Sequence, residues 1–368
     1  MTEPVLPAGP GIELQRGPIP QSRGAPAPLD GRSRVPRGPH PPGQPRLLRT
    51  RGASRPPPPG TAPPPSEPSL PAGPGIIVID KPRGPSSHQV TAWAGKILGV
   101  PVGHAGTLDP GVSGVLVVML GSAVRLAPFL QRGEKEYVCL WRLHGDVTED
   151  RIREIARDFQ GRIYQRPPKK AAVKRALRIR TVHRLDVLEV DGRSVLIRVA
   201  CDAGTYIRSL CHHMGLAAGP GGSMGELRRT RSGSFTEADA HTLQELEDAA
   251  WAAREGNPAP LQGMILPMGR AVMDLPRVTI RDTAVDAVCH GASLAGAGLV
   301  TSEGTFSARD PVGIFTQKGE LVAVAQALVE SGKMVPGSPG LVATPRVVLM
   351  PPGTYPRGWK KRKEKAGK

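Results

Sequence analysis

The sequence contains few cysteines and few aromatic residues. Its 368 residues include four cysteines, and Phe, Trp and Tyr together make up 4% of the chain. No run of about 20 apolar residues is present, so we expect no membrane-spanning helix. The cysteines contain no C-x-x-C pair, which argues against a zinc ribbon and a dense disulfide framework; they are Cys139, Cys201, Cys211 and Cys289. This usage indicates a reducing compartment, and we expect a cytoplasmic protein.

Several signatures of common enzyme classes are also missing. The nine histidines are scattered, and no H-E-x-x-H pattern occurs. The sequence has no G-x-x-x-x-G-K-[ST] phosphate loop and no G-x-S-x-G nucleophile elbow. We therefore expect neither a bound metal nor a cofactor, and most familiar catalytic mechanisms are excluded.

Positive charge is in excess. Lys and Arg number 49 against 32 Asp and Glu, which gives a formal net charge of +17. Such an excess favours a polyanionic partner, most commonly nucleic acid, although a basic balance can also serve solubility alone.

Residues 1–74 differ in composition from the rest of the chain. They are rich in Pro, Gly, Arg and Ser and offer few large apolar side chains to offset the entropy cost of ordering. We expect this segment to be a disordered arm. Three interpretations stay open: an arm that contacts RNA, a solvated tail, or a segment translated from a start codon assigned too far upstream.

After residue 75 the hydrophobic pattern alternates between strands and helices without regular βαβ order. Residues 76–80 (IIVID) predict a buried strand, and Ser86 or Ser87 can cap a helix with Val90, Trp93, Ala94 and Ile97 on its apolar face. Further predicted elements are a strand at 114–120, a helix from 122, a strand at 135–143, a hairpin turning at 191–192, and short strands at 277–280, 312–316 and 321–325. The predicted fold class is therefore α+β.

Four short segments could carry chemistry. Asp109 lies in residues 103–110 (GHAGTLDP), where flanking glycines permit a close approach, but taken alone this segment is better explained by an ordinary loop-closing turn. Tyr137 alternates with apolar residues on a predicted strand, for which core packing is the default explanation. Arg208 begins an amphipathic helix and could be a simple surface cation. Residues 226–233 (ELRRTRSG) hold three arginines, a pattern that favours phosphate contacts.

Together these segments resemble the TruB-type pseudouridine synthases. The resembling strings are 79–88 (IDKPRGPSSH), 103–110, 135–137 (KEY) and 204–208 (GTYIR). Other strings are similar to the archaeal and eukaryal branch of the family, the dyskerin-type catalytic subunit of H/ACA ribonucleoproteins. They are residues 143–147 (LHGDV), 165–168 with 172–175, 226–233, 282–285 with 289–292, and 355–359 (YPRGW). The absence of long Lys/Glu-rich tails favours an archaeal member.

The resemblance implies a domain organisation. It predicts a mixed, largely antiparallel catalytic domain at residues 75–265, a C-terminal β-barrel PUA domain that binds RNA at 266–350, and a basic tail at 351–368. Two departures from the family pattern affect the site: Ala105 stands where Ser, Thr or Gly is usual, and Gly222-Ser223 replace a common Ala-His pair.

The resemblance also implies a reaction, the isomerisation of uridine in RNA to its C-glycoside without cofactor or metal. Asp109 would be the catalytic carboxylate, Tyr137 would stack on the flipped base, and Arg208 would hold Asp109 ionised and oriented. Further residues implied to bind substrate are Lys81 and Leu227 in the pocket, His104 at its mouth, and Arg229 and Arg231.

The implied partners are an H/ACA guide RNA and ribosomal and transfer RNA substrates. The branch also implies a small zinc-ribbon-like subunit, a Gly-rich β-barrel subunit and a kink-turn-binding ribosomal-type protein, with no membrane involved. Two alternatives remain: a stand-alone enzyme that modifies the T-loop uridine of transfer RNA, and a non-catalytic RNA scaffold.

Overall fold

The computed structural model describes residue 70 and residues 73–166 and 176–357. Most of the predicted N-terminal arm and the end of the basic tail, residues 358–368, lie outside the described residues. So do residues 167–175, which include part of the strings that resemble the dyskerin-type branch. No helix of the described residues is long and apolar enough to cross a membrane.

Ten of the described strands form one sheet. Their bounds are β1 (Gly75–Lys81), β2 (Val102–Ala105), β3 (Val112–Leu120), β4 (Lys135–Leu143), β5 (Gly161–Gln165), β6 (Arg178–Asp191), β7 (Ser194–Cys201), β8 (Gly222–Ser232), β9 (Phe235–Thr236) and β10 (Ala240–His241). The strand order is β10-β1-β3-β8-β4-β7-β6-β5, with β2 paired to β3 and β9 to β8. All pairs are antiparallel except β1/β10 and β3/β8, so the expected mixed, largely antiparallel sheet is confirmed.

Helices cover this sheet, and two of them begin at side-chain caps. They are α1 (Ser87–Leu98), α2 (Ala127–Leu130), α3 (Glu149–Asp158), α4 (Ile207–Ala218), α5 (Leu243–Arg254) and α6 (Ala259–Met264). Ser86 and Thr242 each complete a capping box, at the start of α1 and α5. The helix expected from residue 122 is a 3-10 turn (Gly121–Leu126) followed by the short α2.

The prediction that Trp93 lies on the buried face of α1 is wrong. Trp93 is 45% exposed, whereas Val90, Ala94 and Leu98 are buried against β1 and β3. The buried stripe therefore runs through positions 90, 94 and 98, four residues apart, and the face of the helix that carries Trp93 is turned towards solvent.

A second sheet of six strands follows in the C-terminal part of the chain. It contains β11 (Arg277–Ile280), β12 (Leu294–Ala295), β13 (Leu299–Glu303), β14 (Pro311–Thr316), β15 (Leu321–Ala327) and β16 (Leu341–Val348) in the order β12-β16-β15-β14-β11-β13. Helix α7 (Asp282–Cys289) packs on it through Val285 and Val288. The three short strands predicted here are confirmed, and Gly319 turns the hairpin between β14 and β15 with a positive φ of 84°.

The two sheets are joined by packed side chains. Leu126 from the first part contacts a cluster with Phe315 and Leu349 from the second, and Arg125 Nη1 donates a 2.7 Å hydrogen bond to the carbonyl of Val348. Residues 256–268 include α6, and beyond the end of this helix Leu266 exchanges two backbone hydrogen bonds with Ile76.

The parallel pairing of β3 with β8 determines where the polar loop before β3 lies. Val112, Ser113 and Gly114 pair with residues 227–229 of β8. Gly114 has a φ of +99°, and a Cβ at this position would overlap the backbone carbonyl of Arg229. Only glycine allows the two strands to approach this closely.

We therefore expect Gly114→Ala to lower the free energy of unfolding by about 3 kcal/mol or more, because it adds both backbone strain and a clash with β8. Gly111→Ala is the matched control, since a Cβ there meets no atom within 4 Å and should change stability by less than about 1 kcal/mol. Urea unfolding of both variants checks this, and equal stabilities would refute the steric role of Gly114.

Candidate active site

Asp109 lies in the loop between β2 and β3, and a side chain of α1 is hydrogen-bonded to the backbone of this loop. Ser87 is fully buried, and its Oγ both accepts from the amide of Leu108 at 2.8 Å and donates to its carbonyl at 2.9 Å. Gly106 takes a φ of 75° where the loop leaves β2. Leu108 is thereby fixed by two hydrogen bonds immediately before Asp109.

Two buried cations bind backbone carbonyls of the same loop, one before and one after Leu108 in the chain. Lys81 Nζ donates to the carbonyl of Val112 at 2.7 Å and to that of Pro110 at 3.4 Å. Arg229 Nη2 donates to the carbonyl of Gly106 at 2.7 Å, and its Nε donates to Val115. Burial lowers the pKa of Lys81 and of Arg229; the Arg229 charge acts on Lys81 in the same direction, while Asp109 opposes it.

Asp109 itself faces solvent beside a guanidinium. Arg208 Nη2 donates to Asp109 Oδ2 at 3.0 Å, and the two side chains are 64% and 58% exposed for Asp109 and Arg208. Arg208 lies in the first turn of α4, whose apolar side is anchored by Ile207, Leu210 and Met214. The two predicted partners are therefore in contact at an accessible position.

Tyr137 lies on β4, the strand that separates β7 from β8. Its register neighbours are Val199 on one side and Arg229 on the other. The ring is half-buried, and burial raises the pKa of Tyr137 although the nearby Arg229 charge works against it. The phenol consequently keeps its proton at neutral pH.

These side chains surround a cavity of about 350 Å³. Of the residues predicted from sequence, five line it: Asp109, Tyr137, Arg208, Leu227 and Arg229. Apolar side chains such as Leu108, Val112 and Met224 form other parts of the wall. The cavity is of a size that takes one small planar group, with a carboxylate at its edge and an aromatic ring inside.

Three other predicted residues, Lys81, His104 and Arg231, lie outside this cavity. Lys81 was expected to line it, but the side chain is fully buried beneath the loop and acts on the backbone instead. Arg231 pairs with Glu134 at 2.6 Å. The expectation of surface phosphate contacts also fails for Arg229, which is 1% exposed and donates to the backbone carbonyls of Gly106 and Val115.

His104 lies on β2, at the start of the Asp109 loop. Its Nδ1 is 3.0 Å from the hydroxyl of Thr91, and its ring meets His88 edge-on at 4.9 Å between centroids. Burial, followed by the charges of His88 and Arg229, lowers the pKa of His104. The imidazole is therefore held in a fixed orientation and neutral near pH 7.

Lys135 is a cavity residue that sequence reasoning missed. It is 3% exposed, lines the cavity, and donates from Nζ to the carbonyl of Leu130 at 3.1 Å. Burial first, and the Arg229 charge second, lower its pKa to about 8. The signal was present in the alternation of β4, because Lys135 shares a face with Tyr137 and Cys139.

The buried Lys135 predicts a pH-dependent stability. Its folded-state pKa lies below that of an unfolded lysine, so between about pH 8 and 10.5 the unfolded chain binds a proton that the folded chain releases. Relative to Lys135→Met, the wild type should gain stability as pH rises through this window, by about 1 kcal/mol per unit. Urea unfolding at several pH values measures the difference.

The exposed Lys96 supplies the control, since Lys96→Met should track the wild type at every pH. Parallel stability curves for wild type and Lys135→Met across this window would contradict the burial of the ammonium group.

Among residues 73–166 and 176–357, no group of three His, Cys, Asp or Glu side chains is placed to hold a metal ion.

Comparison with known protein families accounts for this arrangement. Residues 96–207 match the N-terminal domain of the TruB family pseudouridylate synthases, residues 208–273 match the C-terminal domain of tRNA pseudouridylate synthase B, and residues 276–349 match the PUA domain. The three matches follow one another along the chain and cover both sheets except for β1.

Archaeal relatives are similar over most of their length. The probable tRNA pseudouridine synthase B of Methanosarcina mazei is 50% identical over 293 residues, which is 79% of this chain and 87% of the relative. That of Methanothermobacter thermautotrophicus is 50% identical over 288 residues, or 78% and 89%.

Solved structures are similar in the same region. An H/ACA RNP bound to a substrate RNA containing 2'-deoxyuridine is 46% identical, with a TM-score of 0.73 over 77% of this chain and 88% of the other. An archaeal box H/ACA sRNP Nop10-Cbf5 complex is 45% identical, with a TM-score of 0.71 over 77% and 89%. A Cbf5-Nop10-Gar1 complex is 48% identical, with a TM-score of 0.73 over 77% and 86%. On this sequence identity and coverage, the chain belongs to the TruB family of pseudouridine synthases.

Proposed function

We propose that Asp109 is the catalytic carboxylate that isomerises uridine to pseudouridine within RNA. The observation that carries the proposal is the Asp109–Arg208 ion pair at the edge of a cavity lined by Tyr137 and Leu227. In this reaction the uracil ring leaves C1′ of its ribose, turns, and rejoins through C5. The C5 proton is lost to water and N1 gains a proton in exchange, so the product has the same atoms and oxidation state.

The carboxylate of Asp109 can start the reaction in either of two ways. It can attack the nucleotide to form a covalent adduct, or it can remove the 2′ proton to give a glycal. Both routes need an ionised oxygen held at a defined position, and the Arg208 guanidinium donates a hydrogen bond to Oδ2 only. The arrangement leaves Oδ1 of Asp109 available to the ribose.

The nucleotide reaches Asp109 by flipping out of its RNA stack, at a cost of a few kcal/mol. We propose that the Tyr137 ring stacks on the flipped base and that its protonated hydroxyl serves the proton transfer at C5. Leu227 closes the cavity against water, and His104 fills the gap left in the RNA. Lys81 and Arg229 act as positioning residues, because they hold the loop rather than meet the substrate.

We further propose that the enzyme works within a guided ribonucleoprotein. Of the three solved relatives at 45–48% identity, one is an H/ACA RNP bound to a substrate RNA, one is a box H/ACA sRNP Nop10-Cbf5 complex and one is a Cbf5-Nop10-Gar1 complex. For this chain we infer an H/ACA guide RNA that selects uridines in ribosomal RNA. The proposed subunits are a small zinc-ribbon-like protein, a Gly-rich β-barrel protein and a kink-turn-binding ribosomal-type protein.

A second substrate, the T-loop uridine of transfer RNA, is supported by different observations. The curated relatives at 46–50% identity carry the name of a tRNA pseudouridine synthase, and residues 208–273 match the corresponding domain. We therefore propose that the chain also acts on transfer RNA without a guide.

The four cysteines of the chain are buried free thiols, which supports a cytoplasmic location.

The catalytic assignment is tested with RNA tritiated at C5 of the target uridine. Asp109→Asn keeps the side-chain shape but removes the charge, so tritium release should fall by roughly 10³-fold or more on both guided and transfer RNA substrates. RNA affinity should change little, because the fold and the basic surface remain. Turnover close to wild type in this variant would remove Asp109 from the mechanism.

The same assay, run with and without guide RNA and accessory proteins, separates the two substrates. Guided conversion of ribosomal RNA should require all of these components, whereas transfer RNA should be modified without the guide. If the guide and the accessory proteins add nothing to ribosomal RNA conversion, the chain is a stand-alone enzyme.

A further inference from the structure

A second cavity, of about 470 Å³, adjoins the one beside Asp109. Gln131 and Ala203 line both, so the two are continuous along the surface. A polymer with one unit in the first cavity can therefore extend over the second. Its remaining lining residues are Pro128, Arg132, Glu134, Arg180 and Asp202.

The two carboxylates of this second cavity are already engaged. Glu134 Oε1 accepts a 2.6 Å hydrogen bond from Arg231. Asp202 Oδ2 accepts from the amide of Thr181 at 2.7 Å, and its Oδ1 lies 2.9 Å from His183 Nε2. Neither acidic group is therefore directed at the two arginines that line the cavity.

Arg180 has unused hydrogen-bonding capacity. Its Nη1 donates to the carbonyl of Ile179 at 2.8 Å, whereas its Nε is shielded from solvent and has no hydrogen-bond partner within the described part of the chain. The guanidinium lies over Gly204, where an added Cβ would be 3.4 Å from Nη2. Because solvent does not reach Nε, an anion would meet the guanidinium through Nη2, which forms no hydrogen bond among the described residues.

Arg132 provides the second cation. It is exposed at the end of the turn after α2, and no ion pair or side-chain hydrogen bond involves it among residues 73–166 and 176–357. Two guanidinium groups with free donors match the oxygens of a single phosphate better than those of a neutral ligand.

We propose that the second cavity binds a phosphodiester of the substrate RNA strand next to the flipped uridine, through Arg180 and Arg132. The proposal rests on the proposed function, because it requires an RNA strand whose uridine enters the Asp109 cavity. Arg180 packs on Gly204, four residues before Arg208 on the same chain segment. Binding the phosphate there fixes the strand relative to the Arg208–Asp109 pair.

The test replaces one phosphate at a time with an uncharged methylphosphonate on either side of the target uridine. Substrate RNA affinity is then measured for the wild type, Arg180→Gln and Arg132→Gln. At one flanking position the replacement should weaken wild-type binding about tenfold but leave Arg180→Gln nearly unaffected. Each variant should also lower the slope of log affinity against log salt by about one.

Arg157→Gln is the matched control, since Arg157 is exposed on α3 and lines neither cavity. It should leave the effect of each methylphosphonate unchanged. Equal losses in wild type and both cavity variants at every position would overturn the proposal. Coupling found only with methylphosphonates in the guide strand would also overturn it, because the cavity would then bind the guide.

Failure of this proposal can be told apart from failure of the proposed function. Asp109, Tyr137 and Arg208 are intact in both cavity variants, and tritium release from unmodified RNA by the wild type reports the reaction independently. Should Arg180→Gln fail to fold, Arg132→Gln and Arg180→Lys carry the test, since the lysine keeps the charge but loses the planar donor fork.

Discussion

The structure of the site depends on hydrogen bonds that buried side-chain donors make to the backbone of residues 106–112. The carbonyls of Gly106, Leu108, Pro110 and Val112 are taken in turn by Arg229, Ser87 and Lys81. These donors therefore hold the backbone on both sides of Asp109. Asp109 falls between the held positions and faces outwards, where its carboxylate meets Arg208. A carboxylate with little freedom to move costs little to align with a substrate.

Burying two cations under a loop is expensive unless their donors find acceptors, and here backbone carbonyls supply them. The sheet makes this possible. Gly114 allows β3 to lie against β8, and β8 then carries Leu227 into the cavity wall and Arg229 beneath the loop. Because β4 pairs with the other edge of β8, Tyr137 is brought to the same cavity. The site is thus assembled at the point where a parallel pair and an antiparallel pair share one strand.

Much of the fold could be predicted from local patterns, because caps, turns and alternation act over a few residues. The Ser86 cap, the turn at 191–192 and the alternating face of β4 are of this kind. Burial of charge could not be predicted so directly. Lys81 and Arg229 are of residue types that usually lie on the surface, and the loop carbonyls that they hold lie 29 to 123 residues away along the chain. Trp93 was misplaced for a similar reason, since tertiary packing chose the stripe through Leu98.

The central claim is that a rigid loop presents Asp109 to the flipped uridine, and Ser87 offers the most direct measurement. Ser86 and Ser87 are neighbours with different tasks: Ser86 caps α1, whereas Ser87 holds Leu108. Under saturating RNA, the single-turnover rate of pseudouridine formation should fall at least about tenfold in Ser87→Ala, with RNA affinity preserved. Ser86→Ala should lose about 1 kcal/mol of stability but keep the wild-type rate. A wild-type rate in Ser87→Ala would contradict the account, because the loop would then not need its anchor.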